Sequence, residues 1–140
     1  MALILINKMY YICDMLNIEL KFRAFNKKTK KLYRSGALSF STERHSFMMY
    51  TDKELDDAKD DDIELMQFTG QKDINNKEIF QRDIILIDEA KNIIVWDNNR
   101  GGWSYTDVDR RLKMTPFGRS EANRAEVLGN EFENPDLLKP

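Results

Sequence analysis

The sequence predicts a mainly β fold, a β-rich α+β domain built as a small antiparallel barrel or curled sheet with short helical turns. From Leu65 onward, strand-like runs separated by turn residues recur about every ten positions, which is typical of such folds. The runs "IILI" and "NIIVW" are apolar on both faces, so at least one strand pair is predicted to be covered twice. The segment "DNNRGG" between two runs predicts a tight reversal, because its residues tolerate positive φ.

Composition places the chain among folded single-domain proteins. Its 140 residues suit one domain, and 41% hydrophobic with 33% charged residues is typical of a globular protein. The net charge of −2 gives no overall attraction to nucleic acid or membranes, so either would need a local patch. The single Cys13 excludes an internal disulfide and a cysteine-built zinc site, which fits a reducing cytoplasm.

Residues 1–17 are predicted to be an extension that precedes a single domain at 18–140. No positive charge precedes their apolar run, unlike a secretory signal. Asn7 and Asp14 interrupt the run well before the roughly 20 residues that a membrane helix needs. An N-terminal element of the domain and an extension translated from an upstream start both fit. We expect the extension, with Met15 opening the domain, and no membrane attachment.

The first predicted hairpin begins in "NIELKFRAFN". Apolar and charged residues alternate there, so Phe22 and Ala24 are predicted to face the core, and Lys21 and Arg23 the solvent. The polar "NKKTKK" predicts a turn, and "LYRSGALSF" predicts the second strand.

Residues 51–64, "TDKELDDAKDDDIE", form an acidic insert. Thr51 and Glu54 have the spacing of a capping box, which is compatible with a short helix, but the apolar stripe is weak. A calcium loop is excluded because the glycine and glutamate of that motif are missing in every register. A solvated loop is the favoured interpretation.

The remaining elements are predicted from Leu65 to the end of the chain. "LMQFT", "IILID", "NIIVW" and "WSYTDV" are strand candidates, "GQKDINNK" is a turn region, and "VLGNEF" is predicted to close the sheet. Ser120 is a plausible N-cap for one helical turn. Asn134 is predicted to cap a second turn, with Pro135 at its first position.

Catalytic and metal-binding patterns are missing from the sequence. His45 is the only histidine, and no glycine-rich phosphate loop is present. Cys13 with His45 forms only a formal nucleophile pair. Asp83 and Asp88 flank the "IILI" run and resemble paired carboxylates, but turn residues at strand ends are the more ordinary interpretation. We therefore predict no catalytic residue, no metal site and no cofactor.

A basic stretch is the best functional feature that composition offers. Its candidate nucleic-acid-binding residues are Lys21, Arg23, Lys27, Lys28, Lys30, Lys31 and Arg34. Phe22, Phe25 and Tyr33 lie between them, and such a mixture can follow a phosphate backbone and stack bases. The alternative is that lysine-rich turns keep edge strands soluble and unpaired.

Four stretches resemble the YopX-like family of phage and prophage proteins. They are "KFRAF", "MQFTGQKDINNKEIF", "DIILI" and "EVLGNEFENPDLL", and they follow the order and spacing of that family. The resemblance implies a β-rich fold and an accessory role, and it brings no catalytic residues. Where the family pattern has glycine, this chain has Asn76 and Arg82, so positive φ is expected at Asn76 and mild strain at Arg82. The "DIILI" strand also resembles the first strand of SH3-like barrels, which predicts an SH3-like C-terminal half.

The predicted function is binding without catalysis, as a homo-oligomer in the cytoplasm of a bacterial host. Ile85, Ile87, Ile94 and Trp103 are the predicted interface residues, because their strands carry more apolar surface than a small domain easily covers. A core position for Trp103 fits equally well. A host or phage protein is the other expected partner, and a membrane is not. The alternative function is a nucleic-acid-binding module that uses Lys21 to Arg34.

Overall fold

Twelve short strands, one turn of α-helix and one 3-10 helix make up the described part of the chain. The structure is a computed structural model that describes residues 21–34, 38–41, 46–50, 55–59, 62–109 and 113–139. In chain order the elements are β1 (Phe22–Asn26), β2 (Lys31–Tyr33), β3 (Leu38–Ser41), β4 (Ser46–Tyr50), β5 (Leu55–Lys59), β6 (Ile63–Lys72), β7 (Glu78–Phe80), β8 (Asp83–Ile87), β9 (Ala90–Asp97), β10 (Gly102–Asp107), β11 (Thr115–Pro116), α1 (Arg119–Ala122), β12 (Glu126–Asn130) and the 3-10 helix (Pro135–Leu138). The predicted extension at 1–17 and the domain start lie outside the described residues.

The strands form three antiparallel sheets. Their orders are β2-β1-β6-β7, β11-β10-β9-β8-β12 and β3-β4-β5. The prediction of a mainly β fold with a curled antiparallel sheet is confirmed. The SH3-like character of the C-terminal half stays a prediction.

The strand β1 is covered on both faces, which the alternating pattern did not predict. The predicted turn at Lys27–Lys30 is present, and the Asn26 side chain accepts the N–H groups of Lys28 and Thr29 in it. Within the strand, however, Arg23 is buried together with Ala24 and the residues that follow it. The expectation that Arg23 faces solvent is therefore wrong, because the side chain finds a buried carboxylate in a different sheet.

The acidic insert contains strands where a loop or a helix was expected. Residues 55–59 are β5, which pairs with β4 from Leu55 opposite Tyr50 to Lys59 opposite Ser46. Ile63 and Glu64 already belong to β6. Both interpretations are wrong at these positions, because pairing with a neighbouring strand overrides the low strand propensity of aspartate. The predicted "LYRSGALSF" strand is likewise divided into β2 and β3, which lie in different sheets.

The hairpin β8–β9 forms the centre of the five-stranded sheet. Its two-residue turn has positive φ at Asp88 and Glu89, as a tight hairpin between right-twisted strands requires. Successive side chains point to opposite faces, yet Ile84 and Ile85 are both 0% exposed. Ile93, opposite Ile84, is equally buried. The predicted double cover is confirmed, and a single chain supplies it.

The two helical turns lie beside β12. The α1 turn is capped at Gly118, not at Ser120, because the Glu121 carboxylate reaches back to accept the Gly118 N–H at 2.8 Å. The predicted terminal turn is confirmed and is a 3-10 helix, with Asn134 as its cap and Pro135 as its first residue.

The turn between β6 and β7 is organised by the buried side chain of Asp73. One carboxylate oxygen accepts the N–H groups of Asn75 (2.9 Å) and Lys77 (2.8 Å), and the other accepts the N–H of Val127 (2.8 Å). Asn76 has the positive φ that was expected, at 64°. The turn is thus fixed internally and fastened to β12.

Arg82, which precedes β8, also has positive φ, at 70°. Its N–H donates to the Ile94 carbonyl at 2.9 Å, and its guanidinium pairs with Glu131 at 3.1 Å. Strain of about 1 kcal/mol is expected for such a residue, and these contacts hold it in place.

The left-handed conformation of Asn76 leads to a stability prediction. We expect Asn76→Gly to leave the free energy of unfolding unchanged or slightly higher, because glycine adopts positive φ without a steric cost. Asn76→Val should lower it by about 1 kcal/mol or more, because β-branched residues tolerate this conformation worst. Urea unfolding of both variants, with Asn75→Val as the neighbouring control, measures the difference. Equal stabilities for the glycine and valine variants would contradict the geometry.

Candidate functional site

The seven basic candidates do not form one surface. Lys27, Lys28, Lys30 and Lys31 are exposed around the tip of the β1–β2 hairpin, and Lys27 pairs with Glu64 at 3.3 Å. The other three, which lie at the opposite end of the hairpin, are Lys21, Arg23 and Arg34. The structure thus separates the predicted set into a tip and a second group.

The second group lines a cleft that the sequence did not predict. The cleft has a volume of about 410 Å³, and its lining residues are Lys21, Arg23, Leu32, Arg34, Lys72, Asn76, Lys77, Glu78 and Phe80. Five of these side chains are cationic and one is a carboxylate. We call this feature the basic cleft. It brings three of the seven residues of the basic stretch together with the "GQKDINNK" turn, although nothing in the sequence linked these two features.

A buried ion pair between Arg23 and Asp83 lies behind the basic cleft. Asp83 is 0% exposed, and its carboxylate accepts hydrogen bonds from the Arg23 guanidinium and, at 2.8 Å, from the Phe80 N–H. The guanidinium also lies over the Phe80 ring, 4.6 Å from its centroid. Arg23 is therefore a rigid part of the cleft wall.

Burial dominates the electrostatics of Asp83. Removal from water raises the pKa of its carboxyl from 3.8 to about 6. The positive charge of Arg23 and the hydrogen bond from Phe80 oppose this rise without cancelling it. The unfavourable effect of burial on the charged carboxylate is thus larger than the stabilisation that Arg23 and Phe80 provide.

Much of the positive charge in the basic cleft is uncompensated. Glu78, the only carboxylate among the described residues that line the cleft, pairs with Lys21 at 3.2 Å. The Lys21 ammonium also lies 5.4 Å from the centroid of the Phe68 ring. Among the residues that the structure describes, no carboxylate lies within 4.0 Å of the charged groups of Arg34, Lys72 or Lys77. These three exposed cations are available to an anion.

The predicted interface isoleucines lie in the core of the chain itself. Ile85 and Ile94 are 0% exposed and Ile87 is 1% exposed. Trp103 is partly buried against the same core and meets Trp96 edge to face, with ring centroids 5.1 Å apart. Trp96 is 43% exposed and is the surface aromatic that the predicted interface set omitted. The apolar surplus is thus largely covered without a second subunit.

The other candidate pairs are not assembled into a site. Asp83 is buried beside Arg23, whereas Asp88 is exposed and pairs with Arg124 at 3.1 Å, so the two do not act as paired carboxylates. Cys13 and His45 lie outside the described residues. Within the described ranges there is no cluster of three or more side chains suited to hold a metal ion. No helix in the same ranges is long and apolar enough to cross a membrane.

The raised pKa of Asp83 makes stability depend on pH. The folded state binds this proton more tightly than the unfolded state, so the contribution of Asp83 is complete below about pH 4 and is lost as pH rises through about 6. The difference in unfolding free energy between the parent protein and Asp83→Asn should therefore fall by roughly 3 kcal/mol over this interval and then stay constant. Urea unfolding between pH 4 and pH 8 measures it.

The matched control for that experiment is Asp88→Asn, which removes a carboxylate that is 63% exposed at the other end of the same strand. A carboxyl-carbon NMR titration gives the pKa of Asp83 directly. A value below 4 would mean that the attraction of Arg23 outweighs the cost of burial, contrary to the prediction.

Comparisons with known proteins give the family and the fold. The family model described as YopX protein matches residues 21–139. The crystal structure of EF1440 from Enterococcus faecalis has a TM-score of 0.62 and 21% sequence identity, and the match covers 87% of this chain and 99% of that chain. Protein yopX from Bacillus subtilis has a TM-score of 0.54 and 19% identity, with 85% and 98% covered. No curated protein matches. Because the family model covers far more than half of its length, the chain belongs to the YopX family.

Proposed function

We propose that the protein acts by binding and not by catalysis, as an accessory protein of a phage or prophage in the cytoplasm of its bacterial host. The resemblance to phage-encoded proteins supports the setting. The character of the basic cleft supports the mode of action, because its described lining is rich in cations and holds a single carboxylate that is already paired.

The basic cleft is the binding surface in this proposal, and its partner is nucleic acid. One observation carries this choice: five cations converge on one concavity, and Arg34, Lys72 and Lys77 have no ionic partner among the described residues. The whole chain has a net charge of −2, so this positive charge is local. Clefts lined by one sign of charge concentrate field lines and attract the opposite charge. Nucleic acid, with its phosphate backbone, is the most common negatively charged polymer.

This surface differs from the one that sequence analysis proposed for nucleic acid. The hairpin tip contributes exposed lysines on a convex turn, and one of them already pairs with Glu64. The cleft contributes cations from two separate stretches of chain, with Arg23 held rigidly between them. Convergence and rigidity favour the cleft, since pre-positioned groups lose less conformational entropy when they bind.

Binding of a fluorescent oligonucleotide tests the proposal. We expect measurable affinity that falls by roughly 20-fold when the salt concentration rises from about 50 to about 200 mM, as expected for about three phosphate contacts on a single strand. The double variant Lys72→Glu with Lys77→Glu should lower affinity at least tenfold. The matched control is Lys28→Glu with Lys30→Glu, which changes the net charge equally at the hairpin tip.

The two double variants separate a local site from general charge. Loss of affinity only in the Lys72/Lys77 variant supports the cleft. An equal loss in both would assign the effect to net charge, and the absence of salt-sensitive binding by the parent protein would refute the proposal.

Self-association is a second part of the proposal, supported by the Trp96–Trp103 pair. Tryptophan is highly buried on average and is enriched among residues that dominate binding energies. Trp96 is 43% exposed, and Trp103 supports it from the neighbouring strand at a centroid distance of 5.1 Å. This pair therefore replaces the buried isoleucines as the expected contact between subunits.

Sedimentation velocity at micromolar concentration tests the association. We expect the parent protein to sediment as an oligomer, and Trp96→Thr, which keeps strand propensity, to shift it toward the monomer. Leu128→Thr, at another exposed apolar position, should have little effect. A parent protein that sediments as a monomer of 16.5 kDa would refute self-association.

A further inference from the structure

The shape of the basic cleft restricts what kind of nucleic acid can use it. Its volume of about 410 Å³ is in the range of pockets that enclose a small molecule, which is about 300–1,000 Å³. The uncompensated cations Arg34, Lys72 and Lys77 are exposed, whereas Arg23 is buried behind them. Positive charge therefore surrounds a concavity instead of following a flat or convex track.

A double helix and a single strand present their phosphates differently to such a surface. The phosphates of a duplex lie on the outside of a stiff cylinder, so only a few could reach the rim of a small cavity. A single strand is flexible, and one nucleotide can leave the path of the chain and enter a pocket. The concavity thus favours the single-stranded form.

The wall of the basic cleft contains an unsatisfied donor. Arg23 donates to Asp83 through one terminal nitrogen, but its buried Nε–H has no acceptor among the described residues. Leaving a buried donor unpaired is unfavourable. The unpaired Nε–H leaves part of the positive charge of Arg23 without compensation in the cleft wall, which is an observation independent of the exposed cations.

The cleft also has an apolar side. Leu32 and Phe80 are half-buried and line it together with the cations. The Arg23 guanidinium lies over the Phe80 ring, and the Phe68 ring is tilted at 46° to it with the centroids 5.5 Å apart, while part of Phe80 still lines the cleft. A phosphate group makes no favourable contact with such an apolar wall. A sugar and a base do, because packing their faces against apolar side chains is favourable.

We propose that the basic cleft binds one nucleotide unit of a single-stranded nucleic acid, with its phosphate among Arg34, Lys72 and Lys77 and its base against Leu32 and Phe80. This inference rests on the proposed function and adds the form of the ligand. A nucleic-acid strand and a free nucleotide both carry the phosphate ester that the cleft would recognise. Because one unit occupies the cleft, the neighbouring nucleotides contribute mainly through their phosphates, which approach the same three exposed cations and complete the roughly three phosphate contacts.

Two measurements on the full chain test this inference. The first compares the affinity for a single strand with that for the duplex of the same sequence at one salt concentration. We expect the single strand to bind at least tenfold more tightly. The second displaces the bound strand with a deoxynucleoside 5′-monophosphate or with inorganic phosphate, and the nucleotide should be effective at a concentration at least tenfold lower.

The outcomes distinguish this inference from the proposed function. If neither strand form binds, the proposed function fails. If the duplex binds as tightly as the single strand, nucleic-acid binding stands and the inference is overturned. If inorganic phosphate competes as well as the nucleotide, the apolar wall has no role and the assignment of a nucleotide unit is overturned. Lys28→Glu with Lys30→Glu should leave every ratio unchanged.

Discussion

The buried ion pair between Arg23 and Asp83 is the contact on which the arrangement of the two larger sheets depends. Arg23 lies in β1 of the four-stranded sheet, and Asp83 opens β8 of the five-stranded sheet. Removing one partner of a buried pair typically costs about 3–5 kcal/mol, because the other charge is left without compensation. The same pair fixes Arg23 in the wall of the basic cleft. The fold and the candidate site therefore share one anchor.

The turn after β6 has a similar double role. Asp73 closes this turn with one carboxylate oxygen and fastens it to Val127 with the other. Lys72 and Lys77 stand on either side of that fixed turn and reach the basic cleft. Asp73 thus joins the turn to the core and also sets the positions of Lys72 and Lys77. If the turn became loose, these two lysines would move and the hydrogen bond from Val127 would be lost.

Local pattern predicted those parts of the structure that depend on neighbours in sequence. The runs around Ile85 and Ile94 became strands, and the positive φ at Asn76 followed from its place in a turn. Arg23 was assigned to solvent because its partner is 60 residues away and in another sheet. The basic cleft escaped prediction for the same reason, since it joins two stretches that only the pairing of β1 with β6 brings together. The lysines at 72 and 77 were visible in the sequence, but nothing local indicated that they meet Arg34.

Two residues with positive φ flank the short strand β7, and both stand where a glycine would be less strained. Asn76 precedes the strand and Arg82 follows it. Such strain persists only where surrounding contacts over-determine the backbone, and here the Arg82–Glu131 pair and the Asp73 turn provide those contacts. The three residues of β7 are held from both ends, and the Phe80 ring packs against the Arg23 guanidinium and the Phe68 ring. Local backbone strain is therefore linked to the rigidity of the cleft wall, because a mobile Phe80 could not hold the Arg23 guanidinium in place.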